Sequence, residues 1–367
     1  MHIGIPKETQ DGRVSIIPDI VKKLVEEKNE VYVETLAGKS SSFSDADYTE
    51  AGAKIVSRDE VFKSANLIIS IHPLSEEELA KLSKGVTVVS LFQPFADDSI
   101  LDKISKHGLT AFSMDMIPRI TLAQAMDVLS SQASVAGYKA VLKATDYLPR
   151  YFPMLTTAAG SIPPAKVLIL GAGVAGLQAI ATAKRNGAVV EAFDTRLAAK
   201  EEVESLGAKF VMVEGATDDT AAGGYAVEQS EEYKQKQREL IQEKASKADV
   251  VITTAQLRGK PAPLLVTKET VDQMKSGAVI VDLASSTGGN CELTKDEEII
   301  NHNGVTIIGS SNLAAEVSQH ASQLYSKNMH NFLKVILKEG EANYDMENEI
   351  ATSSCIVLEG TIRYGNN

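Results

Sequence analysis

Val167-Leu168-Ile169-Leu170-Gly171-Ala172-Gly173-Val174-Ala175-Gly176-Leu177-Gln178-Ala179-Ile180-Ala181-Thr182-Ala183 is the stretch on which the fold turns. Its first four residues form an unbroken apolar run, as in a strand buried on both faces. A G-x-G-x-x-G turn follows, and from Leu177 to Arg185 the pattern is helical. Alone, that glycine spacing is weak; directly after a strand and opening a helix, it signals dinucleotide binding. The glycines permit a tight turn and let a pyrophosphate approach the backbone, while the helix start offers unpaired N–H donors and a favourable dipole. Gly171, Ala172, Gly173, Val174, Ala175 and Gly176 are therefore phosphate-binding candidates, against the plainer reading of a turn kept only for helix–sheet packing.

Asp194 closes the next strand-like run, Val189 to Asp194, about twenty residues on, where an acidic group can bond the adenosine ribose hydroxyls. That favours NAD over NADP. A 2′-phosphate ~4 Å from the carboxylate would meet up to ~4 kcal/mol of repulsion before screening, and a third of that is about tenfold selectivity. Arg196, beyond Thr195, works the other way, since an arginine there can accommodate the phosphate. Asp194 can also be read as a cap for a helix over Leu197 to Ser205.

Outward from this unit, strands are expected at Val167–Leu170, Val189–Phe193, Phe210–Val213, Val250–Thr253, Ala278–Asp282 and Val305–Ile308. A first series lies upstream, at Ile3–Ile5, Val31–Val33, Leu67–Ile71, Val86–Leu91 and Leu109–Ser113, with amphipathic stretches between. Strands alternating with helices imply α/β architecture. The expected fold is two Rossmann-like domains with mainly parallel sheets, joined by long interdomain helices. The first would comprise 1–128 plus 318–367, the second, NAD(H)-binding, 129–317. Thr121 to Leu148 and Ala314 to Leu337 would be the crossings. In the latter, His320, Leu324, Met329, Phe332 and Ile336 suit packing back on the first domain, and Ile350 to Arg363 alternates like a strand or hairpin. Glu214 to Lys247, with Gly223-Gly224 amid dense charge, reads as a long connection without a strand.

Bulk properties narrow the function. The 367 residues carry a net charge of −12, which argues against nucleic acid as partner. Cys291 and Cys355 show no metal or disulfide spacing, and a reducing compartment is the simplest reading. The N-terminus has no charged segment followed by an apolar signal core, so no export is implied. Val167 to Ala183 is too short and too glycine-rich to span a bilayer. Any membrane role would need another chain.

The run Arg119-Ile120-Thr121-Leu122-Ala123-Gln124-Ala125-Met126-Asp127-Val128-Leu129-Ser130-Ser131 is a second constellation. Thr121 and Gln124 fit a capping box, and Gln124, Asp127, Ser130 or Ser131, and Ser134 recur at helical spacing on one face. Such a stripe either hydrogen-bonds a ligand or is a solvated face.

Taken together, Pro118 to Gln132, Ala136-Gly137-Tyr138, Thr157 to Gly160, Gly171 to Arg185, Gly223 to Ala226, Gly259 to Pro263 and Asp282-Leu283-Ala284 resemble domain I of proton-translocating NAD(P) transhydrogenases over nearly the whole chain. The resemblance implies that Arg119, Gln124, Asp127 and Ser130 organise a nicotinamide. It implies further that Asp194 holds the adenosine ribose, with Thr195, Arg196, Gln132 and Gly224 among the cofactor contacts, and that Tyr225 sits on a mobile loop closing over the nucleotide. It also implies NAD(H) bound here and NADP(H) on a partner, a homodimer, and a cytoplasmic place on the inner face of a membrane through partner subunits. No metal is implied. One departure is Asn312-Leu313-Ala314-Ala315, where the family has an Asn-x-Pro-Ser turn.

Alanine dehydrogenases are a more distant likeness. Amino-acid oxidation needs a carboxylate anchor and an acid/base, and in register that family's Lys, His and Asp fall on Ile71, Phe92 and Ser286, leaving only Arg13. His72 and Gln93 lie one residue from the lost positions, and strand alternation would point them to the opposite face. A non-catalytic NAD sensor would show the same losses. Transfer between two nicotinamides needs no protein acid or base, because the cofactors carry the reactivity.

Overall fold

Alternating side chains explain why the strand runs look continuously apolar. In the second series Val167 and Ile169 enter one core while Leu168 and Leu170 enter another, and Val250, Ile252 and Val251 divide in the same way. In the first series Leu67, Ile69 and Val89 face one core, Ile68 and Val88 the other. Each sheet is thus buried on both faces, as an all-parallel sheet must be. The computed structural model describes residues 1–213 and 231–365, and the chain divides into two compact units, 1–132 with 315–367, and 133–314.

The first unit holds an eight-stranded sheet in the spatial order Thr361–Ile362, Cys355–Leu358, Thr110–Ser113, Thr87–Ser90, Leu67–Ile69, His2–Ile5, Glu30–Glu34, Lys54–Val56. From Lys54–Val56 to Thr110–Ser113 all neighbours are parallel; the C-terminal hairpin adds the two antiparallel strands. The helix Ser318–Ile336 lies on this sheet, with Tyr325, Met329, Phe332 and Ile336 in the same core as Ile3 and Ile5. His320 and Leu324, expected on that face, are exposed instead. Two of the helix's serines do a different job: Ser322 Oγ accepts from Val14 N at 2.9 Å and Ser326 Oγ from Ile17 N at 3.0 Å, satisfying backbone donors of a buried loop.

The second unit holds seven strands in the order Lys209–Phe210, Val189–Phe193, Lys166–Leu170, Val250–Thr253, Val279–Asp282, Val305–Gly309, Ile299–His302, parallel except for the last. The expected α/β, mainly parallel architecture is what forms. Three short features escape a reading of the sequence: the strand Lys54–Val56, the hairpin Leu155–Thr157 with Gly160–Ile162, and the antiparallel edge Ile299–His302.

Two expectations need correction. The segment from Thr121 is not one helix. Thr121–Met126 is a 3₁₀ turn whose N-cap is Ile120 with no side-chain cap, so the Thr121/Gln124 capping box does not form. Asp127 then leaves helical geometry at ψ 90°, and the α-helix Val128–Tyr147 begins after it. The polar residues do not share one continuous helical face. Glu214 to Lys247 is not wholly a loop either, since Glu231–Lys247 is a helix. Its pairs Glu232–Lys236 and Glu243–Lys247 are spaced i,i+4.

Phe332 is fully buried and meets Phe112 edge-on at 5.8 Å. Phe332→Ala is expected to cost the first unit about 3–5 kcal/mol, read as an earlier transition in urea; an unshifted midpoint would show that the helix does not anchor this core.

Candidate functional site

Each glycine of the turn after Lys166–Leu170 has a different reason to be glycine. Gly171 sits at φ +103°, and a Cβ there would lie 2.6 Å from Thr254 Oγ1. At Gly176 a Cβ would lie 1.9 Å from the Gly171 carbonyl oxygen, so the helix start can close on the strand end only without a side chain. Around Gly173 nothing lies within 4 Å of an added Cβ, which leaves the backbone open to an approaching group. The helix Val174–Arg185 begins there with no side-chain cap, so its first N–H groups remain available to an anion. Gly137, on the helix Val128–Tyr147, belongs to the same packing: its Cβ would stand 2.1 Å from the Ala175 carbonyl oxygen. The residues present fit a pyrophosphate.

Topology puts this turn where a ligand belongs. Lys166–Leu170 lies between Val189–Phe193 and Val250–Thr253, so the strand order reverses beside it and a crevice opens at the carboxyl ends of the strands. Asp194 stands there, right after Val189–Phe193. Its Oδ2 accepts from Ala172 N at 2.7 Å, tying the glycine turn to the next strand, and its Oδ1 accepts from Arg196 N at 2.8 Å. The Arg196 side chain adds Nε to Oδ1 at 3.0 Å and a second nitrogen to Oδ2 at 3.1 Å. Asp194 caps no helix directly, since Ala199–Ser205 starts later, from Ala198. Thr195 is exposed.

Asp282 orders the loops on the other side of the crevice. The fully buried carboxylate accepts from Ala284 N (3.0 Å), Asn290 N (2.7 Å), Cys291 N (3.0 Å) and Thr294 Oγ1 (2.8 Å). A buried charge is tolerated when saturated in this way. Asn290, so fixed, bonds Ala255 at both N and O and also Pro263 O. Sequence reasoning gives Asn290 no role; its signal is an Asp closing an apolar strand. The departure at Asn312-Leu313-Ala314 is held by Glu297, whose Oε1 accepts from Ser311 N at 2.8 Å and Asn312 N at 3.2 Å. Gly224 and Tyr225 lie outside the described residues.

In the first unit, Asp127 and Ser130 form one device. Asp127 Oδ1 accepts from Ser130 N at 2.9 Å and Oδ2 from Ser130 Oγ at 2.6 Å, capping the helix Val128–Tyr147. Arg119 and Gln124 are exposed, on the loop and the 3₁₀ turn just before. Gln132 is engaged at both ends of its amide: Oε1 accepts from Arg13 at 2.9 Å and Nε2 donates to Ala321 O at 3.0 Å.

Arg13 leads to a closed ionic cluster at the first sheet's own reversal point, between His2–Ile5 and Leu67–Ile69. Asp11 grips the Arg13 guanidinium at Nε and at 2.6 Å from its terminal nitrogen, both side chains only 6% exposed. Against expectation, His72 faces the same cluster, with Nδ1 2.9 Å from Glu8 Oε2 and Nε2 3.4 Å from Asp11 Oδ2. The strand ends at Ile69, so alternation no longer governs residue 72. Ile71 and Phe92 are buried and Ser286 is exposed. Burial works to raise the Asp11 carboxyl, but hydrogen bonds and charge from Arg13 outweigh it and hold it below its usual 3.8.

Family models described as alanine dehydrogenase/PNT, N-terminal domain and C-terminal domain match residues 4–136 and 140–365. The chain is 44% identical over 374 residues to an NAD(P) transhydrogenase subunit alpha chain of Rhodospirillum rubrum, covering 99% of this chain and 97% of that one. A solved transhydrogenase from Sinorhizobium meliloti superposes with TM-score 0.91 at 41% identity, covering 99% of this chain and 100% of the other. Alanine dehydrogenase of Mycolicibacterium smegmatis is 30% identical over 295 residues, 79% of this chain and 74% of the relative.

With its folded pKa depressed, Asp11 contributes stability that is complete above about pH 4 and lost as pH falls through the folded value. Asp11→Asn should be about 3–5 kcal/mol less stable at neutral pH, because it strands a buried guanidinium. The gap from the parent should narrow below about pH 4 in urea titrations; a gap constant with pH would refute the pairing.

Proposed function

The chain belongs to the alanine dehydrogenase/PNT family, and we propose that within it this protein is the NAD(H)-binding component of a proton-translocating NAD(P) transhydrogenase, exchanging hydride with NADP(H) held by a partner domain. The observation that carries the choice is the Arg13–Asp11 pair. In the competing dehydrogenase reading Arg13 would anchor a substrate carboxylate, yet the chain's own carboxylate already fills that guanidinium. The neighbouring positions are the hydrocarbons Ile71 and Phe92, and His72 has both ring nitrogens against carboxylates. What is left is a nucleotide site without substrate chemistry.

A bound nicotinamide would itself supply the hydride donor or acceptor. The chain's residues bind and orient. The turn Gly171 to Gly176 offers backbone N–H groups to the pyrophosphate, and Asp194 a carboxylate to the adenosine ribose. Asp127 and Ser130, locked to each other, hold one orientation at the start of Val128–Tyr147. Gln132, clasped by Arg13 and Ala321, steadies that start from the other side. Arg119 and Gln124, exposed and polar, are the residues we assign to fixing the nicotinamide itself. Among the described residues no helix is long and apolar enough to cross a membrane; we assign proton translocation to membrane-embedded partner subunits, which would hold a homodimer of this chain at the inner face.

The test mixes this chain with the NADP(H)-binding domain of a transhydrogenase and follows reduction of an NAD analogue by NADPH. Hydride transfer there, with none from alanine to NAD, supports the reading; alanine oxidation or nucleotide binding with neither activity would replace it. Gln124→Asn draws the amide back by one methylene and should slow transfer about 10- to 100-fold, with a smaller loss of NADH affinity. Normal turnover would remove Gln124 from the site. Asp194→Ala should weaken NADH about tenfold or more while the fold survives; an unchanged dissociation constant speaks against the ribose contact.

A further inference from the structure

Asp194 is fully engaged. A carboxylate offers about four acceptor sites, and these are taken by Ala172 N, Arg196 N, Arg196 Nε and the second Arg196 side-chain nitrogen. The carboxylate is 9% exposed, the arginine 44%. A ribose diol can therefore reach Asp194 only by taking over the two positions held by the guanidinium. The two backbone donors are fixed by the turn itself and stay. Arg196 lies before the helix Ala199–Ser205 rather than within it, so its side chain can turn outward without disturbing an element. A further hydrogen bond, from Arg196 to Ala172 O at 3.3 Å, places the resting guanidinium across the edge of the glycine turn.

We propose that Arg196 is a latch on the adenosine subsite that sets how strongly NADH is preferred over NADPH, an inference that rests on the nucleotide-binding role proposed above. For NADH the latch is a competitor: the ribose hydroxyls must displace a charge-assisted pair before Asp194 can accept from them. For NADPH the displaced guanidinium is an asset, because it remains within a side chain's length of the ribose 2′ position, where it offsets repulsion between Asp194 and the phosphate. Arg196 thus moves the two affinities in opposite directions and narrows the gap between them. A residue serving only to hold the turn would move both the same way.

Equilibrium titration of the full chain with NADH and with NADPH, followed by nucleotide fluorescence, separates these cases. In Arg196→Gln the dissociation constant for NADH should fall about threefold and that for NADPH rise about threefold, widening the preference about tenfold. Arg196→Lys, which keeps the charge without the fork, should tighten NADH while leaving NADPH near the parent value. Raising salt should weaken NADPH more steeply in the parent than in Arg196→Gln. Constants that shift together, or not at all, in a glutamine variant melting near the parent temperature overturn the latch. A glutamine variant that melts much earlier passes the decision to Arg196→Lys, where an unchanged NADH constant overturns it equally. A parent chain that binds no NADH overturns the nucleotide reading instead, which the preference ratio cannot do.

Discussion

Backbone meeting backbone without an intervening Cβ is the constraint on which the second unit is built. Gly176 closes on the Gly171 carbonyl and Gly137 on the Ala175 carbonyl, each at a spacing that any side chain would forbid. The first approach brings a helix start to a strand end; the second seats the helix Val128–Tyr147 against that same start. Because these contacts are steric, they fix the direction of the helix N-terminus with little slack. A set of N–H donors is useful to an anion only when aimed. Asp194 then ties the turn to the next strand through Ala172 N, and Asp282 freezes the loops opposite.

The same strand order occurs in both units, with the chain reversing beside its first strand each time. The two reversal points are furnished differently. In the second unit glycine leaves open backbone. In the first, Glu8, Asp11, Arg13 and His72 fill the position with charges that satisfy one another. Such a cluster resists intrusion, since a ligand would have to break buried pairs before gaining any of its own. One architecture used twice therefore yields one candidate site for a dinucleotide and one internal brace, and the brace reaches through Gln132 to the helix start that carries Asp127 and Ser130.

Much of this is legible in the residues. The sheet order follows from apolar runs divided by helical stretches, and the glycine turn with Asp194 can be read directly because its chemistry is local. What escapes is set by contacts distant in sequence or by too little chain to leave a pattern. Lys54–Val56 spans three residues, below what periodicity resolves. Glu231–Lys247 is stabilised on its surface by charge pairs, and among its residues only Ile241 and Ala245 are buried, so it has almost no apolar stripe to detect. At Asp127 the side chain bonds Ser130 rather than continuing the turn before it, a competition that helical spacing cannot show. His72 defies the alternation rule because the strand stops short of it. Arg196 stands out in the sequence for its charge, but its hold on Asp194 depends on how the turn after the strand folds back.

Both sheets finish in very little strand. Three of their four margins are Thr361–Ile362, Lys54–Val56 and Lys209–Phe210, two or three residues each, and the fourth, Ile299–His302, is one arm of a tight hairpin. Margins so brief give an incoming chain almost no ladder to zip onto. A molecule of this kind is poorly suited to joining others by lengthening its sheets. Its assemblies must be written in loops and helix faces, where affinity can be adjusted residue by residue and contacts can be made and broken without disturbing either core.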